Sequence, residues 1–298
     1  MTIQEKTKHR NMVVDLSNLV FSTRFAAIKT PKTQARKESY IPEMIFKDTL
    51  LTIIKYANEF NTDSIVIACD GQKVWRKSIY PEYKANREHT DIYYKETIEA
   101  SNLLQEFFTE CTNVAVINVD HCEADDIIAV FVKESEGVEN IILSADKDFV
   151  QLLDENTHLY SPTQQIWRTS ENPQYDLFVK CIRGDTNDNI FSAYPRVRSK
   201  RLSEAWEDEY KMLNVLETVR KDGVKVADAY SLNEQLIDLT KQPDHIKDNI
   251  REAINQPVQK KFGDFKIAKW FADHSLKKFA WTLEYKKNPL KKPFKMKA

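Results

Sequence analysis

Short apolar runs rich in β-branched residues occupy positions 12–14, 65–69, 114–119 and 141–143, and longer stretches with helical periodicity, such as 44–60, lie between them. This alternation leaves few folds open. A strand that reaches its neighbour through a helix pairs with it in parallel, and a parallel sheet is covered on both faces. The expected fold is therefore an α/β parallel-sheet core with helices on both faces. Each run also ends at or just before an acid: Asp15, Asp70, Asp120 and, after Ser144-Ala145, Asp146. In an open parallel sheet the carboxyl ends of the strands share one edge, where ligands bind, so acids far apart in sequence are brought to one place.

Further acids accumulate near those ends. In DHCEADDIIAV, Glu123, Asp125 and Asp126 fall where an amphipathic helix begins. One acid there would satisfy the helix dipole, whereas three repel one another unless cations stand between them. Glu123 and Asp126, three apart, share a helix face, and Asp125 is turned away from Asp126. SADKDF adds Asp146 and Asp148, and GDTNDN adds Asp185 and Asp188. Any one of these acids, taken singly, is more simply a cap or a solvated charge. Together with Asp15 and Asp70 they make nine acids with almost no matching His or Cys, the ligand chemistry of Mg²⁺ or Mn²⁺ and not of zinc. Two such ions suit phosphodiester hydrolysis.

Composition excludes other classes. Five glycines form neither G-x-G-x-x-G nor G-x-x-x-x-G-K, which argues against nucleotide cofactors. Four dispersed cysteines, without a C-x-x-C pair, suit a reducing cytosol. The stretch MTIQEKTKHRN is polar, and no run approaches the roughly 18 apolar residues of a membrane span, so a soluble cytoplasmic protein is expected. Lys and Arg number 44 against 45 Asp and Glu, so the placement of charge matters more than its sum. Beyond about residue 180 the β-rich runs cease and helical patterns such as 213–219 and 232–239 dominate. Two domains are expected, 12–180 and 181–298, the second helical, smaller and ending in a mobile tail, WTLEYKKNPLKKPFKMKA, with six lysines.

A polyanion approaching an acidic metal site needs cations to hold it. Residues 75–96 supply Arg76, Lys77, Lys84, Arg87 and Lys95 interleaved with Trp75, Tyr80, Tyr83, Tyr93 and Tyr94, a composition suited to phosphates and unpaired bases. Lys84 and Arg87, three apart, can reach one phosphate. An ordinary surface helix with its aromatics packed inward would read the same in isolation. Arg196, Arg198, Lys200 and Arg201, in YPRVRSKRL just after GDTNDN, suit contacts to a duplex backbone that position without reading sequence.

In this order, VVDLSN, ACDGQKVWRKSIYPEYKANR, EADD, SADKDF and GDTNDN resemble the structure-specific 5′ nucleases, which include flap endonucleases, phage 5′ exonucleases and the 5′ nuclease domains of bacterial DNA polymerases. The resemblance spans roughly residues 12–200 and is nearest to the T-even phage ribonuclease H branch. It implies a PIN-like core and a Mg²⁺-dependent 5′ to 3′ exonuclease and flap endonuclease that removes RNA primers and 5′ flaps in DNA replication. It implies two metal ions: Asp15, Asp70, Glu123, Asp125, Asp126 and Asp146 resemble the first cluster, and Asp148, Asp185 and Asp188 the second. Asp120 has no counterpart. Tyr83, Lys84 and Arg87 resemble the family's Y-K-x-x-R, in which the aromatic stacks on a base and the cations steady the scissile phosphate; Lys84, Arg87, Asp125 and Asp146 are the catalytic candidates. The partners implied are branched or 5′-ended DNA and RNA:DNA hybrid, with a single-strand DNA-binding protein and a sliding clamp, acting on a monomer in a bacterial cytoplasm. One departure stands out: the glycine-rich hairpin that holds a monovalent cation against duplex DNA in most members is replaced by IFSAYPRVRS, without glycine. Direct phosphate contact by the four basic residues is the expected substitute.

Two rivals come from other classes. A module that binds branched DNA without cutting it would have no chemical need for nine acids. A phosphatase with an Asp nucleophile usually has a second Asp two residues on, where this chain has Ser17 and Gln72.

Overall fold

The computed structural model describes residues 8–28, 41–87, 93–258, 262–274, 276 and 288–296. Six strands form one sheet: β1 (Arg10–Asp15), β2 (Ser64–Cys69), β3 (Ala115–Asn118), β4 (Glu139–Leu143), β5 (Thr157–Ser161) and β6 (Ile166–Arg168), in the order β3-β2-β1-β4-β5-β6. The first five are parallel, and β6 closes one edge antiparallel to β5. The four runs read from sequence are β1 to β4. Their continuous apolar character follows from burial on both faces, and alternate residues divide between two cores. Met12, Val14, Ile65, Ile67, Ile141 and Leu143 face one side, while Val13, Val66, Ala68 and Ile142 face the other.

The first side is covered by α1 (Leu16–Ile28), α2 (Ile41–Glu59), α4 (Tyr94–Cys111) and α11 (Asp264–Asp273), with Phe46, Phe107, Trp270 and Phe271 in mutual ring contact. The second is covered by α5 (Ala124–Glu134) and α10 (Asp244–Ile254) through Ile127, Phe131, Ile246 and Ile250. A short helix, α3 (Arg76–Ile79), follows β2.

The expected second half is helical: α6 (Pro173–Arg183), α7 (Ser199–Glu207), α8 (Glu209–Leu216) and α9 (Val226–Ile237), followed by α10 and α11. Phe178, Ile182, Leu202, Ala205, Val215 and Val226 form a small core of their own, whereas α10 and α11 pack back against the sheet. Position 180/181 falls inside α6. The mobile tail is corrected over its described part, since 288–296 is fastened along the sheet edge opposite the carboxyl ends. Leu290 is fully buried, the Ser64 hydroxyl donates to the Lys295 carbonyl at 2.9 Å, and the His9 ring contacts the same carbonyl at 2.8 Å. Residues 281–287 and 297–298 of that tail lie outside the described residues, as do 88–92 of the basic aromatic segment. Among the described residues no helix is long and apolar enough to cross a membrane.

Candidate active site

Strand order fixes where the acids meet. β1 and β4 are neighbours although two strands separate them in sequence, so the chain turns to opposite sides of the sheet from this point, and a crevice opens at the carboxyl ends. Asp15 ends β1, Asp70 follows β2, Asp146 lies three residues beyond the end of β4, and Asp125 sits in the first turn of α5. All four, with Glu123, line one cleft of about 820 Å³ together with Asn18, Phe21, Lys84, Arg87 and Tyr94. Asp120 lies in the turn after β3, outside the cleft lining.

Local chemistry holds each acid. Asp15 accepts from the Asn18 N–H at 3.1 Å and the Ser144 hydroxyl at 3.0 Å, and the Asn18 side chain accepts from the Ala145 N–H at 3.0 Å, which ties the ends of β1 and β4 together. Asp70 accepts from the Ala124 N–H at 2.8 Å at the start of α5. That approach requires glycine next: a Cβ on Gly71 would lie 2.1 Å from the Val119 carbonyl oxygen. Asp146 accepts from the Asp148 N–H at 2.9 Å, which turns the chain so that the two acids part.

Crowding shows in the proton affinities. Burial, and then Asp70, push the Asp15 carboxyl from its ordinary range up to about 7. Burial, then Asp15 and Asp146, raise Asp125 well above its usual value. These acids face one another across the cleft without a basic partner, since no Lys or Arg among the described residues forms an ion pair with Asp15, Asp70, Asp125 or Asp146. Among the described residues no three His, Cys, Asp or Glu side chains already converge on a single point. The donors are gathered around the cleft with room between them, and a hard cation would draw them inward.

The helix-face argument for α5 holds in an unexpected way. Asp125 lines the cleft, and Asp126 turns into the protein, where it is fully buried. It accepts from Arg76 Nη1 at 3.0 Å and Nη2 at 2.8 Å, from Trp75 Nε1 at 3.0 Å and from the Glu123 N–H at 3.0 Å. Its lone pairs are committed, so its expected place among the metal ligands is corrected. Arg76, expected on nucleic acid, is corrected with it: at 1% exposure its guanidinium holds Asp126 and Glu123 and donates through Nε to the Leu236 carbonyl at 2.8 Å. Tyr83 is also corrected. It is 3% exposed, its hydroxyl donates to Glu123 at 3.0 Å, and its ring lies against Arg76 and Lys84, so no face is free for a base.

Lys84 and Arg87 are brought to the cleft as expected. Lys84 pairs with Glu123 and lies 3.7 Å from Asp188, and Arg87 pairs with Asp188. Burial of Glu123 opposes ionisation, yet Lys84 and Arg76 prevail and hold its carboxyl below the usual range. Lys77 is on the exposed side of α3. Asp148, Asp185 and Asp188 form a second group beside the first, and Asp125 borders both. Gly184 shapes that loop: its φ is +75°, and a Cβ there would meet the Ile190 carbonyl oxygen at 2.4 Å. Arg196, Arg198, Lys200 and Arg201 share a separate concavity of about 510 Å³, where Arg201 donates to the Tyr194 hydroxyl at 2.7 Å.

Three participants were not singled out from sequence. Asn18 and Ser144 sit inside VVDLSN and SADKDF and brace Asp15; Lys180 pairs with both Asp148 and Asp185. Its only sequence signal is a lysine five residues before the aspartate of GDTNDN.

The profile of the 5′-3′ exonuclease, N-terminal resolvase-like domain matches residues 10–177, more than half of the chain and all six strands. The chain belongs to the 5′-3′ exonuclease family. It is thus a phosphodiester hydrolase of the 5′ nuclease type. Ribonuclease H of Enterobacteria phage T4 is 28% identical over 280 residues, spanning 86% of this chain and 89% of that one. DNA polymerase I of Rhizobium leguminosarum is 31% identical over 154 residues, 48% of this chain but 15% of the polymerase. Among solved structures, the T5 D15 protein crystallised with metal ions superposes with a TM-score of 0.63 at 19% identity, covering 91% of this 5′ nuclease and all of that chain. The T5 D15 flap endonuclease in a pseudo-enzyme-product complex with DNA and metal ions superposes with a TM-score of 0.61, also at 19% identity, over 92% of this chain and 100% of that one. At that identity the likeness is one of fold.

Proposed function

We propose that this 5′ nuclease is a Mg²⁺-dependent 5′ to 3′ exonuclease and flap endonuclease that cleaves RNA:DNA and DNA duplexes, removing RNA primers and 5′ flaps during replication. The observation that carries this reading is the cleft, where four carboxylates from separate segments stand together without an ion-paired base among the described residues and Lys84 and Arg87 line the same space. Burial first, and then the neighbouring carboxylates, raise the proton affinity of Asp15 and Asp125, and their oxygens are the donors that a hard divalent ion takes.

Asp15, Asp70, Asp125 and Asp146 would hold the first ion, and Asp148, Asp185 and Asp188 would hold the second. Glu123, expected among the first set, lines the same cleft but is engaged by Arg76, Lys84 and Tyr83, and would join only once Lys84 turns to substrate. When bound, such ions lower the pKa of water and steady the charge that develops on a phosphate. The protein's own groups do the rest. Lys84 and Arg87 donate to the phosphate oxygens, exchanging Glu123 and Asp188 for substrate. Asn18 and Ser144 keep Asp15 fixed, and Arg76, held in its buried pair with Asp126, fixes the segment that carries Lys84. Arg196, Arg198, Lys200 and Arg201 grip the duplex backbone directly, in place of a glycine-rich hairpin.

The test offers a 5′-labelled flap, an RNA:DNA hybrid and a simple phosphomonoester, each with Mg²⁺ or EDTA. Release of the 5′ label from both nucleic acids in Mg²⁺ alone is expected. Binding without cleavage, or hydrolysis of the monoester only, would replace this reading with one of its rivals.

A further inference from the structure

The two acid groups differ in what stands beside them. The first borders the open cleft of about 820 Å³ and has no ion-paired base among the described residues. In the second every acid is paired: Asp148 and Asp185 share the Lys180 ammonium, at 2.9 Å from Asp185, and Asp188 takes Arg87. The space left there is about 10 Å³, room for roughly one water. Lys180 Nζ therefore stands between two carboxylates at a point where a hard cation would share the same oxygens.

The backbone beneath it is fixed, because Phe178, Cys181 and Ile182 of α6 are buried. The side chain is not: about a quarter of it is exposed, on a flexible four-carbon stem. The ammonium can leave its partners while the helix stays in place.

We propose that Lys180 is a tethered cation that fills the second acid cluster, so that a divalent ion enters there only by displacing its ammonium group. The inference rests on the reading of these acids as a metal site. It makes the two positions unequal, since among the described residues the first cluster has no ion-paired base and takes an ion readily, while in the second two bases already offset most of the charge of three carboxylates. A phosphodiester in the cleft offers the ammonium another partner, so substrate and second ion arrive together. Without substrate the second position stays largely closed to metal.

Mn²⁺ binding to the intact protein without nucleic acid, counted by electron spin resonance of the free ion, tests this. The wild type is expected to show one tight site and a second at least about tenfold weaker, and Lys180→Met and Lys180→Gln to tighten only the second, by about tenfold or more. Lys180→Arg keeps the charge and should retain the weak second site. Asp146→Asn should lose the tight site, which separates the metal reading from the lysine's role. Two equal sites in the wild type, or wild-type isotherms in Lys180→Met and Lys180→Gln variants that melt like the wild type, would overturn the proposal. No Mn²⁺ binding at all would overturn both.

Discussion

Replacing Arg76 by Met removes the guanidinium and keeps much of the apolar stem. The change deletes three charge-assisted hydrogen bonds to Glu123 and Asp126, of 2.8 to 3.0 Å, and the 2.8 Å bond to the Leu236 carbonyl. Removing one partner of a buried ion pair costs roughly 3–5 kcal/mol, chiefly because the other charge stays behind without compensation. Here the low end applies. Asp126 keeps Trp75 and the Glu123 N–H, and Glu123 keeps Lys84 and Tyr83. For a chain of 298 residues the unfolding entropy is about 0.6 kcal/mol/K, so a loss of about 3 kcal/mol lowers the melting temperature by about 5 °C. The assay is a thermal melt followed by circular dichroism at neutral pH. Adding Asp126→Asn to Arg76→Met removes the stranded charge and should recover more than half of the loss. An Arg76→Met protein that melts within about 1 °C of wild type, or a double variant no better than the single, would refute the buried pair as a structural anchor.

Other outcomes follow from the same geometry. Asp125→Asn and Asp146→Asn should reduce flap cleavage by about a thousandfold or more while binding to a labelled flap, measured by fluorescence anisotropy, stays within a few-fold of wild type. Wild-type-like turnover in either would remove it from the site. In metal-free protein Asp15 binds its proton more tightly when folded, about 7 against 3.8, so its contribution falls as pH rises between those values and its penalty is complete above about 7. Melting temperature relative to Asp15→Asn should therefore drop from pH 5 to 7.5, and Mg²⁺ should restore it more at pH 7.5 than at pH 5; a flat difference would contradict this. Replacing Arg196, Arg198, Lys200 and Arg201 by Ala should weaken duplex binding and flatten its logarithmic salt dependence by about 3 to 4, near 0.9 per lost phosphate contact. Unchanged affinity and slope would exclude them from the duplex interface.

The strands that build the site were legible because they lie inside a parallel sheet. Burial on both faces writes them as unbroken β-branched runs, and each acid follows its run within a few residues. THLYS of β5 and IWR of β6 carry no such signature: the first mixes polar and apolar residues, and the second is a three-residue edge. Within the site the difficulty was direction. Arg76 and Lys84 are both cations in one aromatic segment, and only partners distant in sequence, Glu123, Asp126 and the Leu236 carbonyl 160 positions later, make one of them internal. Asp125 and Asp126 are adjacent, but the turn of α5 sends one to the cleft and the other to Arg76. Lys180 carries no signature in the sequence that sets it apart from other helix lysines, since the loop that folds Asp185 back onto it cannot be read from spacing.

The fastening of residues 288–296 along the sheet bears on how the molecule is made. During synthesis β1 emerges early, yet the hydrogen-bond partner that Lys295 offers to His9 is translated 286 positions later. The catalytic edge is complete in covalent terms long before that seam can close. A ribosome-bound chain stopped at residue 287 would hold every acid of the cleft and still leave the far rim of its sheet unbuttoned. Contacts of such long range are slow to form, so zipping this rim is expected to be the late step in maturation.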